Sequence, residues 1–266
     1  MLKKTYLIAI SLLVLGIILV GCKEKPAEIP VEKEDVSLKN IMDKGYMVIG
    51  LDDNKPPFSY LDRNGGAAGF DLELMQEVSS RLGVELKVET VHSTKSAISQ
   101  QQSGAIDILN GYKITSENEE VFSFSDAYIK SRNIIMVRKN SDINSKDELT
   151  GKKIGTVIDS GAESFFEAGE EVVAYETNQK LLTALGIGEV DAAVVDEPFA
   201  LFLLIEKPSE FRIINEEINS HLHGLVFRKD DVALKNEITK ILSDMKQEGF
   251  LENLSRKWFK RNIIVQ

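Results

Sequence analysis

Ser103-Gly104-Ala105-Ile106-Asp107-Ile108-Leu109-Asn110 and Ile187-Gly188-Glu189-Val190-Asp191-Ala192-Ala193-Val194 carry one pattern twice: a glycine, an aliphatic residue, an aspartate and an apolar run. Glycine takes the left-handed conformation that ends a helix without steric cost, and a short apolar run after it reads as a buried strand. Each copy leads to a polar turn, Asn110-Gly111 in the first and Asp196-Glu197 in the second. Outward from the first copy, Met47 to Gly50 reads as a strand, and Asp71 to Leu82 as a helix with Phe70, Leu74, Val78 and Leu82 at i, i+4 spacing. Val84 to Val91 alternates as a half-buried strand does, Ser96 to Gln102 reads as a helix and Ile106 to Leu109 as a strand. The second copy sits in the same order: Lys153 to Val157 strand, a helix starting at Gly161, Val172 to Tyr175 strand, Asn178 to Leu185 helix, Val190 to Val195 strand, Glu197 to Ile205 helix. This alternation predicts an α/β fold of two lobes, each a mostly parallel sheet flanked by helices. Open parallel sheets bind ligands beyond the carboxyl ends of their strands, so a cleft is expected between the two polar turns.

A chain of 266 residues with 43% hydrophobic and 28% charged residues has material for two such cores. Its formal charge of −10 disfavours a phosphate backbone, and no nucleic-acid partner is expected. The single Cys cannot close an internal disulfide, and His92, His221 and His223 lack zinc-ligand spacing, so neither metal nor cofactor is expected. His221-x-His223 is read as polarity at a strand entry rather than as a ligand pair. Phe199, Leu201, Phe202 and Leu204 read as helix core against the second sheet, and Trp258-Phe259 as the contact of the C-terminal helix with the first lobe.

The amino terminus reads as an address. Lys3 and Lys4 precede an apolar run from Tyr6 to Val20, which is shorter than the roughly 20 residues of a membrane span and fits a signal peptide. It ends Leu19-Val20-Gly21-Cys22, which resembles the bacterial lipobox and implies a diacylglycerol on Cys22. Residues 1–21 are then the signal peptide and 22–36 a flexible tether, with Pro26 and Pro30 among mixed charges. Removal of Lys3 and Lys4 would take the net charge from −10 to −12. The expected location is extracytoplasmic, lipid-anchored to a bacterial cell membrane.

Over about residues 37 to 260 the chain resembles the polar amino-acid group (family 3) of the periplasmic-type solute-binding proteins of ABC importers. The resemblance rests on Gly50-Leu51-Asp52 before Pro56-Pro57-Phe58, Gly69-Phe70-Asp71-Leu72-Glu73-Leu74, Gln102-Ser103-Gly104-Ala105-Ile106-Asp107, and Gly111-Tyr112-Lys113-Ile114-Thr115-Ser116-Glu117. It continues through Phe124-Ser125-Asp126-Ala127-Tyr128, Leu149-Thr150-Gly151-Lys152-Lys153-Ile154-Gly155, Val190-Asp191-Ala192-Ala193-Val194-Val195-Asp196 and Lys257-Trp258-Phe259. It implies a type II clamshell with one lobe of residues 37–132 and 224–266, a second of 133–223, and hinge strands at Ile134–Val137 and Leu225–Arg228. It also implies a monomeric binding protein, not an enzyme. Such a protein captures a small polar solute, an amino acid or amine, and delivers it to a membrane permease.

The pocket departs from the family pattern. The Arg that clamps a ligand carboxylate with two parallel hydrogen bonds is replaced by Asn118, and the Thr that helps it by Lys113. Lys55 and Thr94 stand at the two aromatic positions. The turn at Ser160-Gly161 is kept, with Asp159 and Glu163 beside it, and the backbone N–H groups at the helix start near Gly161 and Ala162 are expected to face an anion. The Asp that receives a ligand ammonium is kept as Asp196. Asp52, Asn110 and Gly111 complete the expected binding set, in which opposed charges hold a zwitterion or a cation. A tethered ligand sensor and a cyclohexadienyl-dehydratase-like enzyme, with Glu163 beside Lys113 as general acid, are the alternatives on the same fold.

Overall fold

The computed structural model describes residues 35–62, 64–158, 160–162, 165–166 and 171–266. Cys22, most of the tether, Asp159 and Glu163 lie outside the described residues, and of Thr94 only the backbone is described.

The first half opens with helix α1 (Ser37–Lys44), strand β1 (Tyr46–Asp52) and a small three-stranded sheet of β2 (Asn54–Lys55), β3 (Ser59–Leu61) and β4 (Ala67–Ala68). Helix α2 (Phe70–Leu82), β5 (Glu85–Val91), α3 (Thr94–Gln102), β6 (Ile108–Lys113), α4 (Ser116–Val121) and β7 (Ser123–Phe124) follow. After the long strand β8 (Ile129–Arg138), the second half contributes β9 (Lys153–Val157), β10 (Glu171–Tyr175), α5 (Asn178–Ile187), β11 (Ala192–Asp196) and α6 (Glu197–Glu206). The 17-residue strand β12 (Phe211–Phe227) returns to the first half, where α7 (Val232–Gln247) and α8 (Phe250–Phe259) close the chain.

Among the described residues one sheet runs through the whole fold in the order β10-β9-β11-β8-β12-β6-β1-β5, with β7 beside β12. Its flanks are parallel, and β8 and β12 form an antiparallel seam between them. In each flank the first strand in sequence is central, the second lies at the edge and the third next to the seam. The echoed segments therefore fill equivalent places, and their contacts repeat. Asp107 accepts from Val48 N (2.8 Å) and Asp191 from Lys153 N (3.0 Å), each tying the segment to the first strand of its flank. The Arg228 guanidinium donates to the carbonyls of Gln101 (2.7 Å) and Ile106 (2.8 Å), just as Arg138 donates to those of Leu185 (2.8 Å) and Val190 (2.9 Å). An Arg at the end of each seam strand thus satisfies the carbonyls left open at a helix end.

Local chemistry accounts for the elements. Helix α2 buries Phe70, Leu74, Met75, Val78 and Leu82 and stops at Gly83 (φ 78°). Ser93, Thr115 and Thr177 cap α3, α4 and α5 through their hydroxyls. Each half has its own apolar core: Met47, Ile49, Phe70, Phe227, Ile238 and Phe259 in the first, Ile134, Met136, Leu181, Leu185, Val195 and Phe199 in the second.

Some sequence expectations shift. Strand β8 joins the second flank only from Asn133, and β12 joins the first only from His223, so the seam strands change sides at 129–133 and 217–223. Ile134–Val137 and Leu225–Arg228 lie inside the flanks, because apolar character marks sheet interior and the crossing itself is polar. The helix expected to start at Gly161 falls largely outside the described residues; Gly161 itself lies in a bend. Strand β6 runs on to Lys113, past the expected end at Leu109, because β12 supplies partners for Tyr112 and Lys113.

Candidate functional site

The carboxyl ends of β6 and β11 meet at the seam, and the polar residues there form one connected system. Lys113, the last residue of β6, reaches across and donates from Nζ to the Ser160 carbonyl of the second half (2.6 Å). From β8, Asn133 Nδ2 lies 3.4 Å from the same carbonyl and 3.2 Å from His221 Nε2. From β12, Asn219 Nδ2 donates to the Gly161 carbonyl (3.2 Å). The Ser160 hydroxyl pairs with Thr156 Oγ1 (2.7 Å) and accepts from Ala162 N (3.2 Å). The Ala162 N–H, expected to face an anion, is thereby used inside its own turn.

His221 and His223 lie on one face of β12, two residues apart. Burial lowers both pKa values to about 4, helped by the positive charge of Lys113, so both imidazoles are neutral at pH 7. His223 Nδ1 faces the Gly111 carbonyl (3.2 Å), an acceptor, and must carry the proton. Its Nε2 is then an acceptor, and Ser131 Oγ at 2.8 Å donates to it. Phe58 stacks on the His223 ring at 6.0 Å.

Asp196 ends β11 beside this pair. Burial pushes its pKa up to about 6 and Glu197 adds to the rise, while the Ser131 hydroxyl and Lys113 oppose it. The single Ser131 proton already serves His223, so the hydroxyl gives Asp196 less than its proximity suggests. Among the described residues Asp196 Oδ1 is buried without a hydrogen-bond partner, as are both amide atoms of Asn110 and Asn219 Oδ1. Asn110 and Asn219 are only 7% and 8% exposed. Such atoms usually have partners in folded proteins, and four of them belong to Asp196, Asn110 and Asn219.

Beneath β6, the buried Asp71 carboxyl accepts from Tyr128 Oη (3.3 Å) and is pushed up to about 7 by burial, with Tyr128 and Lys55 acting against the shift. Gly111 has φ +66°, and a Cβ there would lie 2.8 Å from Asp71 Oδ2. Toward solvent, Lys55 Nζ lies 3.4 Å from Asp52 Oδ2 and 5.2 Å from the Tyr112 ring centre. Asn118 Nδ2 caps the Lys113 carbonyl (2.8 Å). Two further contacts join the halves. Glu197, 5% exposed, receives a fork from Arg132 (2.9 and 2.5 Å) and a bond from Arg261 (2.6 Å). Phe202 packs on Tyr60 (5.5 Å), which meets Trp258 edge-on. Phe202 therefore serves the interface between halves rather than the second core alone.

The structure thus groups Asn110, Gly111, Lys113 and Asn118 along β6 and its turn, sets Asp52 with Lys55 at the rim, and brings Gly161 and Ala162 against the seam. Asp196 lies within the influence of Lys113. Ser131, Asn133, Asn219, His221 and His223 were not expected in this site. Their signal was a polar stretch at the start of β8, with Ser131 and Asn133, and near the end of β12, with Asn219, His221 and His223, in strands whose remaining inward positions are apolar. Ser131 and His221 are register partners, as are Asn133 and Asn219. Among the described residues no group of three His, Cys, Asp or Glu could hold a metal ion, and no helix is long and apolar enough to cross a membrane.

Two α/β halves joined by a pair of antiparallel strands, with unsatisfied polar groups along the seam, define a two-lobe periplasmic-type binding protein. Residues 47–261 match the bacterial extracellular solute-binding proteins, family 3, and the chain belongs to that family. It is 27% identical over 232 residues to the L-cystine-binding protein TcyJ of Escherichia coli (strain K12), covering 85% of this chain and 87% of that protein. A crystal structure of a mutant of ArgBP from T. maritima is similar with a TM-score of 0.72 and 32% identity, covering 85% of this chain and all of that one (100%). Tv2483 bound to L-arginine is similar with a TM-score of 0.75 and 26% identity, over 87% of this chain and 98% of that chain. These relatives are binding proteins, and the chain is a solute-binding protein rather than an enzyme.

Proposed function

We propose that this protein is the membrane-tethered, extracytoplasmic binding component of an ABC importer, and that it captures a small polar solute, an amino acid or related amine, between its two halves. In this reading residues 37–132 with 224–266 form one lobe and 133–223 the other, and the lobes close about the crossings of β8 and β12. The observation that carries it is Asp196 Oδ1 at the carboxyl end of β11, buried without a partner among the described residues, with Lys113 at the end of β6. Asn110, Gly111 and Gly161 supply the polar walls, and Asp52, Lys55, Thr94 and Asn118 the rim. Asp159 and Glu163 add negative charge through the sequence around the Gly161 turn. The names of relatives that bind cystine or arginine support the ligand class.

Attachment through a lipid on Cys22 follows from the Gly21-Cys22 signature after an apolar signal segment. A monomer that docks on a permease fits this arrangement. A thermal-shift screen of amino acids and amines tests the binding role. A ligand at 100 times its Kd stabilises by about 2.7 kcal/mol, a shift of roughly 5–10 °C for a domain of this size. Failure of every amino acid and amine to move the midpoint refutes the ligand class. Cys22→Ala should release the protein from the membrane, and retention of the variant refutes the anchor.

A further inference from the structure

Resting on the binding role just proposed, the state of each polar group in the cleft narrows the ligand further. A carboxylate needs donors, best presented as a fork or as several converging N–H groups. Here each of the groups at the carboxylate-facing positions already has a partner within the protein. Lys113 Nζ is bound to the Ser160 carbonyl. The Ala162 N–H is bound to the Ser160 hydroxyl, and the Asn118 amide to the Lys113 carbonyl. His221 accepts from Asn133 at Nε2 and keeps one neutral N–H.

The unmet demand is for donors. Among the described residues Asp196 Oδ1, Asn110 Oδ1 and Asn219 Oδ1 are buried side-chain acceptors without partners, against Asn110 Nδ2 as the unpartnered buried side-chain donor of this group. Asn110 and Asn219 are more than nine-tenths buried. The Ser131 proton that could have satisfied Asp196 is held by His223. A cation with several N–H groups satisfies such a set, while a carboxylate brought into the cleft meets acceptors that cannot bond it and loses its hydration.

We infer that the cleft selects an organic amine or guanidine cation that carries no carboxylate, with Asp196 as its counter-ion and Asn110 and Asn219 as further acceptors. Lys113 is a structural cross-strap in this site rather than a ligand clamp. It helps keep Asp196 ionised and leaves the acceptors facing the cleft.

Matched pairs that differ only by the carboxylate test the inference: agmatine against arginine, cadaverine against lysine, histamine against histidine. Each is titrated by calorimetry into the full-length protein held in mild detergent. At least one decarboxylated member should bind about 100-fold or more tighter than its amino acid, since a site with buried acceptors rejects a group that cannot donate. Asp196→Asn should weaken that amine by at least about 10-fold without shifting the unliganded melting point downward, because it removes a charge that burial destabilises more than its neighbours offset. If an amino acid binds as tightly as its decarboxylated partner, the inference is overturned while the binding role stands. If no member of any pair binds, both fall. Unaltered amine affinity in Asp196→Asn also overturns the assignment.

Discussion

Replacing Glu197 by Gln tests the account of how the halves are held together. The side chain is nearly isosteric, so its effect comes from charge and hydrogen bonding. Glu197 receives three guanidinium hydrogen bonds, two from Arg132 at 2.9 and 2.5 Å and one from Arg261 at 2.6 Å. Removing one partner of a buried ion pair costs about 3–5 kcal/mol. The full figure does not apply here, because the Arg132 and Arg261 side chains are 22% and 44% exposed and can rehydrate. Arg132 also keeps its bond to Asn215 Oδ1 (2.6 Å). The expected loss is about 2–3 kcal/mol, or roughly 5–10 °C in Tm. Arg261→Ala removes the more exposed partner and should cost no more than about 1 kcal/mol. Urea unfolding with an unchanged m-value is the assay. If Glu197→Gln costs less than Arg261→Ala, or falls within about 0.5 kcal/mol of the parent, Glu197 is not the anchor described.

Three further outcomes are expected. Gly111→Ala should cost about 2 kcal/mol or more, combining a positive φ with a Cβ 2.8 Å from Asp71 Oδ2. Gly83→Ala, with φ +78° and open space around its Cβ, should cost only about 1 kcal/mol, and equal losses by denaturant titration would refute the clash. Asp107→Asn should cost more than Asp191→Asn, because Asp107 binds Lys44 Nζ (2.7 Å) besides its backbone N–H; the reverse order would break the repeat argument. The pH dependence should split by residue. Asp71 has a folded pKa raised to about 7, so the folded state holds the extra proton and Asp71 costs stability as pH rises from about 4 to 7. His223 is lowered to about 4, so the unfolded state binds the extra proton and stability falls as pH drops from about 6.5 to 4. Asp71→Asn and His223→Gln should therefore change the slope of stability against pH in opposite directions, and changes of the same sign would refute one of the two burials.

The paired segments at 103–110 and 187–194 were legible in sequence because glycine stops and strand runs act locally, and their aspartates occupy matching places beside β1 and β9. The helix expected to begin at Gly161 falls largely outside the described residues, and the turn at Gly161 itself takes contacts from Lys113, Asn133 and Asn219, all distant in sequence. The seam was legible only in part. His221-x-His223 has the spacing of one strand face, but placing it against Ser131 and Gly111 requires the β8–β12 and β12–β6 registers. Asp71 reads as an ordinary acidic residue in the first turn of a helix, and only the packing of Tyr128 and Gly111 over it makes it a buried acid.

The central claim is that a solute binds between the halves against Asp196. Its most direct test is calorimetric titration of the best ligand from the screen into the parent protein and into Asp196→Ala. Loss of a charge-assisted hydrogen bond worth about 1.5–3 kcal/mol predicts one site per chain in the parent and affinity weakened by about 10-fold to 150-fold in the variant. Equal affinity in the two proteins would place the binding site elsewhere and contradict the account.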